Sequence, residues 1–107
     1  MRYADEYGWY ELNPFPGSNQ IVVSNHAFIY PEFRGTGKGQ EQHVERLKQA
    51  KSLGYDIIMC TVRTDNLVER HILLKNGWGF LQRFRSTETG HELDIFSKRL
   101  DNGQKSC

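Results

Sequence analysis

Cysteine is scarce: Cys60 and Cys107 stand far apart in the 107-residue sequence. That excludes a disulfide framework and suits a reducing compartment, so a cytoplasmic location is expected. No CxxC pair occurs, and His26, His43, His71 and His91 are scattered, so no metal-ligand spacing is present. Apolar runs extend only a few residues, far short of the ~20 needed to cross a bilayer. No basic-then-apolar leader opens the chain, so secretion is not indicated. Neither sign of charge dominates, because 14 Lys plus Arg oppose 13 Asp plus Glu. A net charge of +1 argues against a partner held mainly by charge, such as duplex nucleic acid or an anionic membrane. Arg83, Arg85, Lys98 and Arg99 form the one basic concentration, and no nucleic-acid motif accompanies them.

What is present suits one compact domain over 1–107 with a single core, its informative part spanning about 20–100. Hydrophobic residues make up 37% and aromatic residues 12%, enough to bury a core. Tyr7 to Leu12 reads as a short strand, with Tyr7, Trp9 and Glu11 on one face and Gly8, Tyr10 and Leu12 on the other. Asn13 to Asn19 reads as a loop. Gln20 to Tyr30 is rich in β-formers and predicts a strand, closed by Pro31. A helix follows from about Gly39 to Leu53, its apolar stripe formed by Val44, Leu47, Ala50 and Leu53. The nearly continuous apolar run Asp56 to Val62 predicts a strand covered on both faces. Asp65 or Asn66 caps a second helix that ends near Asn76 and Gly77. Phe80–Arg85 and Glu92–Lys98 read as two final strands, and residues 101–107 as a frayed tail. Strand, strand, helix, strand, helix, strand, strand makes a mixed α/β layer with crossover helices.

The turn before the first helix carries the chemical signal. Arg34-Gly35-Thr36-Gly37-Lys38-Gly39 leaves the backbone bare just where a helix begins. The first amides of a helix have no internal partner, and with the helix dipole they suit a phosphate. Arg34 and Lys38 add charge beside them. Two familiar phosphate loops fail on spacing. A P-loop needs Gly where Glu32 stands and Ser or Thr where Gly39 stands. The dinucleotide fingerprint needs Gly where Gln40 stands.

What fits is R-x-x-G-x-G, spanning Arg34, Gly37 and Gly39. Here the sequence resembles the GNAT superfamily of N-acetyltransferases. Ile29-Tyr30-Pro31-Glu32-Phe33-Arg34-Gly35 is similar to the family's approach V-x-P-E-Y-R-G. Val62-Arg63-Thr64-Asp65-Asn66 resembles its V-x-x-x-N, and Lys75-Asn76-Gly77-Trp78 its K-x-G-F. The resemblance implies a GNAT-like mixed sheet with two splayed parallel strands and crossover helices. It also implies an N-terminally truncated form, with only one strand and a loop before the coenzyme strand.

By the same resemblance, the chain is expected to transfer acetyl from acetyl-CoA to an amine of a protein or small molecule. The implied coenzyme contacts are main-chain groups of Ala27, Phe28 and Ile29, the loop Arg34, Gly35, Thr36, Gly37, Lys38, Gly39 and Gln40, and Asn66. Asn66 reads equally as a helix cap. The acid–base positions depart from the family pattern: Leu73 stands where a tyrosine is usual and Thr61 where a carboxylate is frequent. Gln42 and His43 stand where the first helix is usually apolar. Tyr30 and His26 are the candidate catalytic stand-ins, with His71 and Cys60 read as an exposed and a core residue. No metal is expected. The resemblance implies that helices absent here form much of the acceptor wall, leaving an open groove or a homodimer or protein partner to complete it. Tyr3, Tyr7, Trp9, Tyr10 and Phe15 form an aromatic cluster suited to cover the sheet or meet that partner. The competing reading is a binding or assembly module that keeps the fold, and perhaps the coenzyme, without catalysis.

Overall fold

A computed structural model describes residues 1–100, except the side chain of His26. The expected tail 101–107 lies outside the described residues. The strands are β1 (Arg2–Ala4), β2 (Gly8–Pro14), β3 (Ile21–Ile29), β4 (Ile57–Arg63), β5 (Gly79–Arg85) and β6 (Glu92–Arg99). The helices are α1 (Lys38–Ser52) and α2 (Leu67–Lys75), with a 3-10 turn at Pro31–Phe33. Among the described residues one six-stranded sheet runs in the order β1-β2-β3-β4-β6-β5, and β3/β4 is its only parallel pair. Two strands therefore precede β3, against the one expected. Arg2–Ala4 is too short for a hydrophobic period to show, and it exists by pairing with Trp9–Glu11. Asn13 and Pro14 continue β2 opposite Val23 and Val22. Pro14 is tolerated there because it terminates the strand.

Alternation assigns the faces. Gly8, Tyr10 and Leu12 of β2, Val22 and Ser24 of β3, Ile58, Cys60 and Val62 of β4, and Asp94 and Phe96 of β6 are buried. Both helices pack on this face, contributing Ala50 and Leu73 to the core. The run in β4 is thus covered on one face only: its other side chains are half-buried or exposed, ending with Thr61 and Arg63 in solvent. The α1 stripe also differs from expectation. Val44 and Leu53 are 45% and 50% exposed, whereas His43, Arg46 and Ala50 are buried. Apolar periodicity misplaced the face because two of its three buried positions are ionisable. The aromatic cluster is divided between faces. Tyr3 stacks on Tyr10 at 5.2 Å on the helix side, whereas Trp9 stacks on Phe28 at 4.6 Å on the helix-free side. Tyr7 meets Phe33 edge-on, and Phe15 is exposed.

Gly8 is required by close approach. A Cβ there would sit 2.0 Å from the Phe28 carbonyl oxygen, so any side chain would push β2 off β3. Among the described residues no helix is long and apolar enough to cross a membrane.

The far edge of the sheet is tied down by charge. Asp94 is fully buried and accepts hydrogen bonds from Arg70 of α2 and from Arg83 of β5. The Arg83 hydrogen bond, joined by Arg70, holds its carboxyl below the usual range. A carboxylate with a lowered folded pKa gives stability that is full above its unfolded pKa of about 4 and lost as pH falls through the folded value. Asp94→Asn should therefore lower the melting temperature by about 5 °C or more at neutral pH. The gap between variant and parent should narrow as pH falls below about 4. A gap independent of pH would contradict this account of Asp94.

Candidate active site

β3 and β4 are bridged only over Ile21↔Ile57, Val22↔Ile58 and Val23↔Met59. Beyond that they part, although β3 runs on to Ile29 and β4 to Arg63. The cause lies on the other edge of β3. Trp9 pairs with Phe28 and Glu11 with Asn25, so Tyr10 faces two residues, 26 and 27. Such a bulge bends and twists its strand. Gln42 of α1 secures the bend by donating from Nε2 to the carbonyls of Trp9 and Phe28, at 3.1 and 3.2 Å.

The parted strands open a cleft of about 660 Å³ between β3, the start of α1 and the start of α2. Its mouth is the glycine turn. Gly35 and Gly37 have φ of 80° and 87°, and a Cβ at either would meet nothing within 4 Å. Open space plus positive φ is what a bare backbone offers to a ligand. Gly37 is the N-cap of α1, and the amides of Lys38, Gly39 and Gln40 have no backbone acceptor. They are aligned with the positive end of a 15-residue helix.

Nine of the eleven residues expected at a coenzyme line this cleft: Ala27, Phe28, Ile29, Arg34, Gly35, Gly37, Gly39, Gln40 and Asn66. Thr36 and Lys38 do not. The Thr36 hydroxyl donates to the Phe33 carbonyl. Lys38 leans the other way, 3.3 Å from Glu41 and 4.2 Å from the Tyr7 ring centre. Its hydrogen bond to Glu41 raises its pKa. Arg34 donates from Nε to the Ile29 carbonyl at 2.9 Å and lies over the Phe28 ring, bracing the turn. Asn66 caps α2, accepting from the Glu69 amide at 3.2 Å.

The candidate proton carriers are dispersed. The Tyr30 ring packs edge-on against Trp9 and Phe28. The side chain of His26 lies outside the described residues. His71 is exposed on α2. Burial pushes the Cys60 thiol up to about 12, which makes it an inert core residue. Leu73 is fully buried in the core, and Thr61 points away from the helices into solvent. Among the described residues no three His, Cys, Asp or Glu side chains gather to hold a metal.

Sequence reasoning missed Gln42, Val68, Glu69 and Ile72 as cleft residues. Once Asn66 is a cap, helical spacing places Glu69 and Ile72 one turn apart on the face that includes Val68, so the signal was available. It also missed Arg46, which is 4% exposed. Arg46 donates to Ser24 Oγ at 3.2 Å and to Glu69 Oε2 at 3.3 Å, while its Nε is buried without a partner. Trp78 Nε1 lies 3.2 Å from His43 Nε2, and Arg46 Nη2 lies 3.4 Å from His43 Nδ1. A neutral imidazole has one lone pair and accepts from only one of those donors.

Solved N-acetyltransferase structures share this fold. The ribosomal-protein-S18-alanine N-acetyltransferase from Escherichia coli matches with a TM-score of 0.78 at 10% identity, over 94% of this chain and 66% of that one. A GNAT family acetyltransferase from Elizabethkingia anophelis with acetyl-CoA bound matches with a TM-score of 0.75 at 13% identity, over 87% and 68%. The NatC complex bound to Gag peptide and CoA contains a chain that matches with a TM-score of 0.76 at 14% identity, over 87% and 60%. This chain has the GNAT fold. It spans just under two thirds of the length of the S18 enzyme. In sequence, it matches no protein-family model and no curated protein. The fold is thus shared at 10–14% sequence identity.

Burial, then the charge of Arg46, lowers the pKa of His43 from 6.5 to about 4. Lys98 acts in the same direction. A base with a lowered folded pKa takes up protons on unfolding, so stability is full above 6.5 and falls as pH drops from 6.5 toward 4. Nitrogen NMR of His43 should show a neutral ring down to about pH 4. A ring that titrates near 6.5 would show that it is not sealed in this network.

Proposed function

We propose that this chain is an acetyl-CoA-dependent N-acetyltransferase of the GNAT superfamily, acting on an amine of a protein or small molecule. The observation that carries the reading is the cleft itself: two parted parallel strands whose open end is a bare glycine turn and a helix N-terminus. The residues present fit coenzyme A. Free amides of Lys38, Gly39 and Gln40 suit its pyrophosphate. The unpaired edge of β3 near Ala27 suits an extended arm with its own amides, which adds to a sheet edge as a strand does.

Acetyl-CoA supplies an activated acyl group as a thioester. This chain binds and orients it against an acceptor amine. An alkylammonium with pKa about 10.4 must first shed its proton. With Leu73 in the core and Thr61 in solvent, water is the carrier that suits this cleft. Such a site forgoes part of the general acid–base contribution, about 10²–10⁴-fold. The helix-free face of the sheet leaves the acceptor side open. That supports a peptide-sized acceptor, or a second subunit or protein partner that completes the wall.

A second reading has its own observation. Leu73, buried in the core at the usual acid position, is equally what a coenzyme-binding module without transfer would carry. Titration calorimetry with acetyl-CoA and with coenzyme A, on protein free of copurified ligand, tests the shared part. Binding should be micromolar, about −8 kcal/mol. Gly37→Val should weaken it by tenfold or more, about 1.4 kcal/mol, because a β-branched residue resists φ of 87°. Unchanged affinity in the folded variant would remove the pyrophosphate assignment. Clear binding with no thiol release across an amine panel would favour the module over the enzyme.

A further inference from the structure

A second cavity, about 570 Å³ in volume, opens beside the start of α1, against β1 and β2. Ile29 and Gln42 line both this cavity and the coenzyme cleft, so they form the partition between the two. One wall is a polar stripe of α1, with Lys38, Glu41, Gln42 and Glu45 at helical spacing. The facing wall includes Asp5, Tyr3, Tyr7 and Tyr10. Arg2, on the rim, is turned to Glu11 at 3.1 Å and to the Trp9 ring on the helix-free face.

The charges in this cavity are unbalanced. Lys38 is matched, its ammonium 3.3 Å from Glu41 and 4.2 Å from the Tyr7 ring centre. One turn further along α1, Glu45 has no ion pair or hydrogen bond among the described residues, and Glu41 four positions before it is a like charge that repels it. Asp5 accepts on Oδ1 from the amides of Tyr7 and Gly8, at 2.8 and 3.1 Å, and its Oδ2 has no partner. Tyr10 points to a ligand independently of these acids. It is 5% exposed, and its hydroxyl has no hydrogen-bond partner among the described residues. Among those residues Arg46 Nε is the one buried side-chain polar atom sealed without a partner, so the Tyr10 hydroxyl opens onto the cavity that Tyr10 lines. Burial, then the charge of Glu45, pushes this phenol up to about 12, which keeps its proton on and places it near that carboxylate.

Lys38 shows what such a lining takes: an ammonium between a carboxylate and an aromatic ring. Glu45 and Tyr10 repeat that pair about 6 Å along the helix axis, with no cation on it. The carboxylates are too dispersed for a metal ion, since no three His, Cys, Asp or Glu among the described residues gather to hold one. The volume is that of a site for a small organic molecule, about 300–1,000 Å³. We propose that this cavity binds a primary alkylammonium, held by Glu45 and the Tyr10 hydroxyl beside the Lys38–Glu41 pair. A free diamine and a lysine side chain of a peptide present the same group, and the experiment separates them. The site stands apart from the coenzyme reading and does not depend on it.

The probes are putrescine, its neutral counterpart butanediol, and a lysine tripeptide capped at both ends. Each is titrated into the full chain at low ionic strength and followed by amide NMR. Putrescine or the peptide should shift Asp5, Tyr10, Glu41 and Glu45 with a dissociation constant of about 1 mM or lower. Butanediol should not bind. Glu45 is exposed, so Glu45→Gln keeps the fold, and it should weaken binding about fivefold. Tyr10→Phe keeps the ring that stacks on Tyr3 and should weaken binding about as much. Glu88→Gln, beyond β5 at the opposite edge of the sheet, should change nothing. Binding of putrescine alone supports the proposal and assigns a free amine, and binding of the peptide alone supports it and assigns a lysine side chain. Binding of both supports the shared ammonium. Binding of neither, equal binding of butanediol, or shifts centred elsewhere would overturn the proposal. So would an affinity unchanged in Glu45→Gln or Tyr10→Phe, or an equal loss in Glu88→Gln.

Discussion

Everything distinctive about this chain follows from how briefly β3 and β4 are joined. Three parallel pairs hold the two halves of the sheet together, and then the ladder stops. Each half is secured on its far side by antiparallel pairing, β3 with β2 and β4 with β6 along its whole length. The halves stay rigid while the gap between them stays open. The bulge at residues 26 and 27 bends β3, Gln42 pins the bend from above, and Gly8 lets β2 follow it closely. A cleft made this way needs no loop to close it and no domain hinge. Its floor is strand, and its mouth is the bare turn that the glycines permit.

The interior beneath the cleft is unusual in chemistry. Where a helix over a sheet ordinarily offers leucine or alanine, α1 turns Gln42, His43 and Arg46 inward. Burying a guanidinium costs several kcal/mol unless partners compensate it. Ser24 and Glu69 compensate only part, and His43 is kept neutral by its surroundings. Such a network is a poor source of stability compared with apolar packing.

Much of this was legible in the sequence. The alternation in Tyr7–Leu12, the β-rich run ending at Pro31, the cap at Asn66 and the stop at Gly77 each have a local physical cause, and each appears in the structure. The glycine turn was legible for the same reason, since backbone freedom is written in residue type. What failed was anything decided at a distance. β1 exists only because β2 pairs with it, the covered face of β4 depends on where both helices pass, and the buried side of α1 depends on Ser24 and Glu69. Hydrophobic periodicity cannot find a buried face built from histidine and arginine. Nor could it separate Tyr3 and Tyr10 from Trp9, which alternate onto opposite faces of one sheet.

The most direct test of the account is an amide NMR titration of the full chain with coenzyme A. The account predicts shifts concentrated at Gly35 to Gln40, at Ala27 to Ile29 and at Asn66 to Glu69, the three walls of the cleft. They should fade across β1 and across the second cavity, about 570 Å³ in volume, that Tyr3, Tyr7 and Glu45 line beside α1. Shifts centred on that second cavity, or none at all in saturating coenzyme A, would contradict it.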